Sequence, residues 1–498
     1  MKLFRKTRWL SGPVPLLLLA DFLLAVVALC LGAGLRFSFD LAAAETGLGP
    51  VLPRAAVFAG WVMLGLAAMG LYRHRQRPRP WEIAARVFVG VLLGALGDVL
   101  FFYLLPQLAT GRGVLTLAIL IAMPLLTFER WAILRFMNFN RVKRRVLVLG
   151  AGQVASRIGA LRRQSDRRRF EVVGYVAMSD RDRRLARELR LAPLLALDEA
   201  VRAGNFDEIV VALDDRRGLF PTRILLEQRF AGVRVLNIVE FLERETEKID
   251  FDVMQPDWLV FSNSGHAQPL FLAAKRCFDL LASFAMLAAM SPVLLLVVIA
   301  IKLEDGLRAP VFYRQRRVGL HDRPFELLKF RSMGVDAEAG GGPRWAVAGD
   351  ERVTRVGRVL RRFRLDELPQ VVNVIRGDMS IVGPRPERPE FVQDLAAKIP
   401  YYSYRHCVRP GLTGWAQLNF PYAASLSDAR NKLKYDLYYI KNGNLVLDIF
   451  IFLQTIEVVL WGRAISMAGP TRDAEERAVP SVTPLPLEQV SPDDRSAA

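Results

Sequence analysis

Four apolar runs dominate the first 140 residues: Val14–Leu35, Val51–Leu71, Ala85–Leu105 and Val114–Ile133. Each approaches the ~20 residues a helix needs to cross the hydrocarbon core of a bilayer. The pattern therefore predicts four transmembrane helices over residues 1–140. A cleavable signal peptide is the alternative for the first run, but its apolar stretch is long for one and three similar runs follow. A fifth run, Leu280–Ile301, is interrupted by Ser291-Pro292. Proline inside a helix removes a hydrogen bond and clashes with the preceding turn, whereas Ser followed by Pro opens a new helix well. Two half-length helices meeting at a bend are expected over 278–302. Leu445–Trp461, broken by Asp448, Gln454 and Glu457, reads as an amphipathic helix on the membrane or under the preceding unit.

Between these regions the periodicity changes. Arg145-Val-Leu-Val-Leu-Gly150-Ala-Gly152-Gln-Val-Ala155 is an apolar strand entering Gly-x-Gly-x-x-Ala and a helix, followed by strands at Phe170–Val176, Glu208–Ala212 and Val233–Ile238. This pattern predicts a Rossmann-like α/β domain over 141–262, with Gly150 and Gly152 as candidate contacts for NAD or another nucleotide. Tight strand-to-helix packing without a ligand explains the same glycines. The acidic residue expected at the end of the second strand is replaced by a late Asp180.

Charge orients this framework. Lys2, Arg5, Lys6 and Arg8 precede the first run, Arg73, Arg75, Arg77 and Arg79 separate the second and third, and Arg141, Lys143, Arg144 and Arg145 follow the fourth. The positive-inside rule then puts both ends of the bundle, and everything after it, in the cytoplasm. A fully spanning fifth helix would export a strongly basic region, so a re-entrant helix is favoured, with a kinked span as the alternative. Asp21 lies about two turns into the first run and is expected to pair with the basic flank. Across 498 residues, 68 Lys+Arg against 50 Asp+Glu leave a net charge of +18 alongside 52% hydrophobic residues, which combines membrane residence with anionic partners. Three scattered cysteines and four scattered histidines argue against a disulfide scaffold or a structural zinc site. The Pro/Ser-rich segment 464–498 reads as a disordered tail.

The chemistry concentrates after Lys275. Arg314, Arg316, Arg317, Lys329 and Arg331 are followed by Arg352, Arg355, Arg358, Arg361, Arg362 and Arg364, a density suited to substrate phosphates or to anionic headgroups. Next come Asp366-Glu367-Leu-Pro-Gln370, Gly377-Asp378-Met-Ser380 and Val382-Gly383-Pro384-Arg385-Pro386. Adjacent carboxylates on a helix diverge by about 100°, so one can face a substrate while its neighbour holds a metal. Pro-Arg-Pro fixes the backbone around a guanidinium and suits a phosphate fork, with a rigid structural turn as the plainer reading.

Together with Lys275-Arg276-x-x-Asp279, Ser291-Pro292, Lys329-Phe-Arg331-Ser-Met and Arg409-Pro-Gly411-Leu-Thr-Gly414-Trp415-Ala-Gln417-Leu-Asn419, these motifs resemble the bacterial polyprenyl-phosphate sugar-1-phosphate transferases over about Ala273–Arg463. The upstream spans and α/β domain are similar to large members of that family. Asn419-Phe-Pro-Tyr422 and Asp428-Ala-Arg-Asn-Lys432 resemble an exopolysaccharide subgroup associated with PEP-CTERM systems. Phe420 stands where many members have glycine, which leaves the sugar open.

The resemblance implies a mostly α-helical catalytic domain over 270–463 with a re-entrant helix, at the bacterial inner membrane. It implies that Asp366 attacks the sugar-bearing phosphate of a UDP-sugar, releasing UMP, and that polyprenyl phosphate then takes the phosphosugar. Glu367 would ligate Mg²⁺. Arg385 would clamp nucleotide phosphate or uridine, with Arg361, Arg364, Lys329 and Arg331 as further phosphate contacts. Asp279 would pair with a basic residue to set the angle of the broken helix, and Trp415 and Gln417 would shape the pocket or pack a glycine-rich turn. The expected partners are UDP-sugar, polyprenyl phosphate and membrane lipids, not nucleic acid, with a homodimer through the α/β domain left open. Two rivals are a non-enzymatic membrane scaffold and an NAD-dependent nucleotide-sugar dehydratase. The latter needs Tyr-x-x-x-Lys, which none of the eleven tyrosines supplies.

Overall fold

The computed structural model describes residues 14–40, 43, 46–47, 49–72, 80–136, 143–161, 170–177, 190–191, 206–214, 220–254, 269–334, 352–420 and 425–461. The basic residues before Val14 and between Arg73 and Arg79, together with Arg141, Asp180, Tyr422 and the 464–498 tail, lie outside the described residues.

The four N-terminal apolar runs are helices α1 (Val14–Arg36), α2 (Val51–Ala68), α3 (Pro80–Leu104) and α4 (Arg112–Phe136). α1 packs on α2 and α4, and α2 on α3. The α2–α3 approach needs glycine: a Cβ on Gly65 would lie 2.0 Å from the Gly90 carbonyl oxygen. Small residues allow such contact where apolar surface alone gives helices no reason to associate. Leu19, Leu23, Leu96, Leu100 and Leu120 point outward and exposed, as on a membrane bundle. Asp21 is fully buried and pairs with Arg130 of α4 at 2.6 Å, while the basic flank expected to pair with it lies outside the described residues. The charge is thus neutralised between spans.

A five-stranded, all-parallel sheet follows, ordered β3-β2-β1-β4-β5: β1 (Arg144–Leu149), β2 (Phe170–Val176), β3 (Arg190–Leu191), β4 (Glu208–Val211) and β5 (Arg234–Asn237). Val146–Leu149 is buried on both faces, which explains its unbroken apolar run. Helices α5 (Gln153–Gly159), α6 (Thr222–Phe230) and α7 (Ile238–Thr246) accompany it.

The fifth apolar run lies in one helix, α8, of 37 residues (Pro269–Asp305), not in two half-helices. Pro292 denies the Ala288 carbonyl its helical N–H, and the Ser291 hydroxyl donates to that oxygen at 2.9 Å. The Ser-Pro pair therefore carries its own substitute hydrogen bond, and the helix continues through it. Both ends of α8 are tied to the unit that follows. At the N-terminal end Arg276 donates to the carbonyls of Val374 and Ile375. At the C-terminal end Glu304 accepts from the amides of Arg355 and Val356, and Asp305 pairs with Arg331. Between these ties Leu281, Phe284, Leu295 and Leu296 are exposed.

That unit contains an antiparallel hairpin, β6 (Phe312–Val318) with β7 (Pro324–Phe330), which the helical expectation missed. Helices α9 (Arg355–Arg362) and α10 (Gln370–Arg376) flank a 3-10 turn at Leu365–Glu367. A short parallel pair, β8 (Ser380–Val382) with β9 (Gly411–Thr413), is surrounded by α11 (Pro389–Lys398), α12 (Trp415–Asn419), α13 (Leu426–Asn442) and α14 (Leu445–Trp461). α14 buries Leu447 and Ile451 in this core and also touches α2 of the membrane bundle.

Candidate active site

Asp366 and Glu367 sit on the 3-10 turn between two helices, entered through Arg364 in the left-handed conformation (φ 56°). Asp366 is buried. Burial first, and Glu367 second, push its carboxyl above the ordinary value, while Lys329, Arg361 and Arg385 oppose the rise. Glu367 goes the other way: burial would raise it, but Arg385 and Lys329 overcome that and bring it down to about 2. Both Glu367 oxygens accept from Arg385, at 2.5 and 3.0 Å, as a bidentate fork.

The cations reach these carboxylates from separate elements. Lys329 stands near the end of β7, where burial, Arg385 and Arg317 lower it to about 8 against the pull of Glu367 and Asp366. Arg361 lies on α9, its Nε donating to the Ser332 hydroxyl at 3.0 Å. That register depends on Gly357, where a Cβ would meet the Ser332 carbonyl at 2.0 Å. Arg364 acts on Glu367. Arg331 is placed differently: buried, it pairs with Asp305 at 2.5 Å and so ties down the C-terminal end of α8.

The loop bearing Arg385 is held by residues whose role the motifs did not reveal. Arg405, buried, donates to the Arg385 carbonyl at 2.8 Å and to the Tyr402 hydroxyl at 2.7 Å, and pairs with Asp436 at 3.0 Å. Arg317 donates to the Pro386 carbonyl, and Glu387 pairs with Lys432 at 2.8 Å. Position in sequence offered little signal for this, since Arg405, Lys432 and Asp436 approach only through tertiary packing. The glycines of Val-Gly-Pro-Arg-Pro and Pro-Gly-Leu-Thr-Gly do have a legible cause: a Cβ on Gly411 would lie 2.0 Å from the Gly383 nitrogen.

Geometry also places Asp279, Trp415 and the two glycines of the α/β domain. Asp279 accepts from the Ser380 hydroxyl and the Ile381 amide, at 2.9 and 3.0 Å, instead of pairing with a cation. Lys275, one turn earlier, makes the ion pair, with Asp448 at 2.7 Å. Trp415 is fully buried and donates to the Glu247 carbonyl at 3.0 Å, which makes it an anchor between units and not a pocket wall. In the α/β domain, the amides of Gln153 and Val154 that follow Gly150 and Gly152 both donate to Asp214, each at 2.7 Å. These are the first amides of α5, so the chain's own carboxylate caps that helix. A Cβ on Gly150 would meet the Ala212 carbonyl at 2.3 Å, so strand-to-helix packing accounts for this glycine.

Comparison with known proteins bears on the same segment. The family model described as bacterial sugar transferase matches residues 270–462. A UDP-glucose:undecaprenyl-phosphate glucose-1-phosphate transferase of Caulobacter vibrioides is 43% identical over 188 residues, 37% of this chain and 69% of that protein. The chain belongs to the bacterial sugar transferase family. Longer matches join this sugar transferase to a UDP-N-acetylgalactosamine-undecaprenyl-phosphate N-acetylgalactosaminephosphotransferase of Aeromonas hydrophila (42% identical; 52% of this chain, 60% of that protein). An Escherichia coli UDP-glucose:undecaprenyl-phosphate glucose-1-phosphate transferase is 34% identical over 51% of this chain and 57% of its own length. The chain spans little more than half the length of these two relatives.

Among the described residues no group of three or more His, Cys, Asp or Glu is arranged to hold a metal. Mg²⁺ seldom needs one: it binds through one or two carboxylates and completes its shell with water and substrate phosphates. Asp366 and Glu367 fit that donor chemistry, with the qualification that both Glu367 oxygens are engaged by Arg385.

Proposed function

We propose that this protein transfers a sugar 1-phosphate from a cytoplasmic UDP-sugar to polyprenyl phosphate in the bacterial inner membrane, releasing UMP, as the first membrane step of exopolysaccharide assembly. The observation that carries this reading is a buried Asp366 facing Lys329, Arg361 and Arg385, on a unit to which both ends of a long apolar helix are tied. A 37-residue helix would be about 55 Å long if straight, far more than the ~30 Å hydrocarbon core requires. A bend at Ser291-Pro292 lets α8 enter the bilayer and return, which keeps the site at the depth of the acceptor phosphate.

In the first step a carboxylate oxygen of Asp366 attacks the sugar-bearing phosphorus, the bond to the UMP oxygen breaks, and UMP leaves with the electron pair. In the second step a phosphate oxygen of the polyprenyl phosphate attacks the same phosphorus, and Asp366 departs as a carboxylate. Lys329, Arg361 and Arg385 hold the phosphoryl oxygens and offset charge as it develops. Burial of Asp366 strips it of water and leaves the carboxylate more nucleophilic. Glu367 would hold Mg²⁺, whose charge neutralises the diphosphate. Lipids around α8, and headgroups near the exposed Arg358 and Arg362, complete the partners.

Purified protein given a panel of radiolabelled UDP-sugars should release UMP and, without acceptor, retain label that hydroxylamine removes. Asp366→Asn should abolish both signals. UMP release by that variant at wild-type rate would sink the covalent reading, and unchanged polymer production in cells would favour a scaffold.

A further inference from the structure

We infer that Arg385 is a gate on the metal-ligating carboxylate: the Glu367–Arg385 fork is the ligand-free form of the site, and a nucleoside diphosphate admits the divalent cation by drawing the guanidinium off Glu367. The inference rests on the reading of Glu367 and Arg385 given above and adds an order of events to it.

Three observations support it. First, the two residues assigned to different ligands are bonded to each other, with both carboxylate oxygens taken by guanidinium nitrogens at 2.5 and 3.0 Å. A cation cannot approach those oxygens along the fork without meeting a like charge. Second, Lys329, Arg364 and Arg385 all act on Glu367, and Lys329, Arg361 and Arg385 all act on Asp366. Two carboxylates facing four cations form a positive site that repels a dication until a diphosphate supplies negative charge. Third, Arg385 is mounted so that its side chain can turn while its backbone stays. Its residue lies between Pro384 and Pro386, its carbonyl is held by Arg405, and its side chain is 20% exposed. A bidentate fork on a carboxylate matches a bidentate fork on a phosphate, so Arg385 can exchange one for the other without losing its hydrogen-bond count.

Linkage makes the consequence reciprocal: if the diphosphate frees Glu367 for the cation, the cation must tighten the diphosphate by the same factor. An independent site would show no such coupling.

The test needs no turnover. Full-length protein in lipid nanodiscs is titrated with Mn²⁺, with free Mn²⁺ read from its aqueous EPR signal, in the absence and presence of UDP and after correction for Mn²⁺ bound to UDP in solution. The wild type should bind Mn²⁺ at least tenfold more tightly with UDP. Arg385→Gln without UDP should bind Mn²⁺ at least tenfold more tightly than the wild type without UDP, and Arg385→Lys, which cannot form the fork, should fall between them. Glu367→Gln should lose the Mn²⁺ site in both conditions. Equal Mn²⁺ affinity of the wild type with and without UDP, or no gain in Arg385→Gln and Arg385→Lys that retain the wild-type melting temperature, would overturn the gate alone. Retention of the Mn²⁺ site by Glu367→Gln would overturn the assignment of Glu367 and the gate with it.

Discussion

At the scale of the residue, the environment of Asp366 and Lys329 sets a pH window. In the proposed reaction Asp366 attacks as a carboxylate, and its carboxyl is raised by burial and by Glu367, so activity should fall on the acid side at a higher pH than for an ordinary aspartate. In the same proposal Lys329 holds phosphate as an ammonium, and it is lowered to about 8, so KM for the UDP-sugar should climb as pH passes upward through that value. Lys329→Arg keeps its charge there and should flatten the alkaline limb while leaving the acid limb in place. Initial-rate pH profiles of the two proteins decide this; an unchanged alkaline limb in the variant would assign it to another group. Much of this site was legible from residue types, since Asp366, Glu367, Lys329, Arg361 and Arg385 come together as their motifs implied. Arg331 shows where legibility stopped: strand alternation would place it on the side of Lys329, but β7 ends at Phe330, and the arginine just beyond it pairs with Asp305 of α8.

At the scale of the element, Ser291-Pro292 decides the form of α8. The sequence pattern marked Ser291-Pro292 as the junction of two helices, but one helix runs through it, because the Ser291 hydroxyl can replace the missing N–H at Ala288, a contact that spacing does not reveal. Pro292→Ala restores that N–H and removes a penalty of about 3 kcal/mol for proline in a helix interior. If α8 bends there as proposed, the balance between bent and straight forms should move toward straight by on the order of a hundredfold. A straight α8 cannot keep both its Arg276 and its Asp305 ties on one unit at one face of the membrane. Protease protection of a C-terminal tag should therefore show cytoplasmic exposure for the wild type and a protected fraction for Pro292→Ala. The hairpin β6–β7 was missed for a different reason. Its arginines mask the alternation that marks a strand, because Arg314 and Arg316 are exposed on the same face as Phe312 and Val318.

At the scale of the molecule, the α/β sheet is welded to the sugar transferase unit. A single apolar cluster runs from Val146 through Phe241 and Phe251 to Trp415, Tyr438 and Ile451. Around it Glu243 accepts from Lys441 and Asn442, the Ile249 amide donates to the Lys434 carbonyl, and Asp252 pairs with both Lys434 and Arg430. Helix α13 supplies all four of these side chains, and it also supplies Lys432 and Asp436 to the network beneath Arg385. Part of the positive charge thus sits on α13, whose cations grip acidic residues of the α/β unit. Composition could not locate this use, since pairing across 182 residues depends on the finished fold.

Asp252 is the most direct probe of this weld. Burial alone would raise its carboxyl, but Lys434 and Arg430 hold it well below the ordinary range. A carboxyl lowered on folding contributes stability that is complete above its unfolded value, near 3.9, and is lost as pH falls through the folded one. Asp252→Asn should therefore cost on the order of 3 kcal/mol at neutral pH, the cost of removing one partner from a largely buried pair. The gap to wild type should narrow as pH drops below about 4. Because α13 reaches both the weld and the Arg385 loop, the variant should also weaken UDP-sugar binding while kcat changes less. Thermal melts across pH, paired with KM and kcat, separate the outcomes. A constant gap down to pH 3 would show that the ion pair does not supply the stability, and a melting loss with unchanged KM would show that the weld does not reach the site.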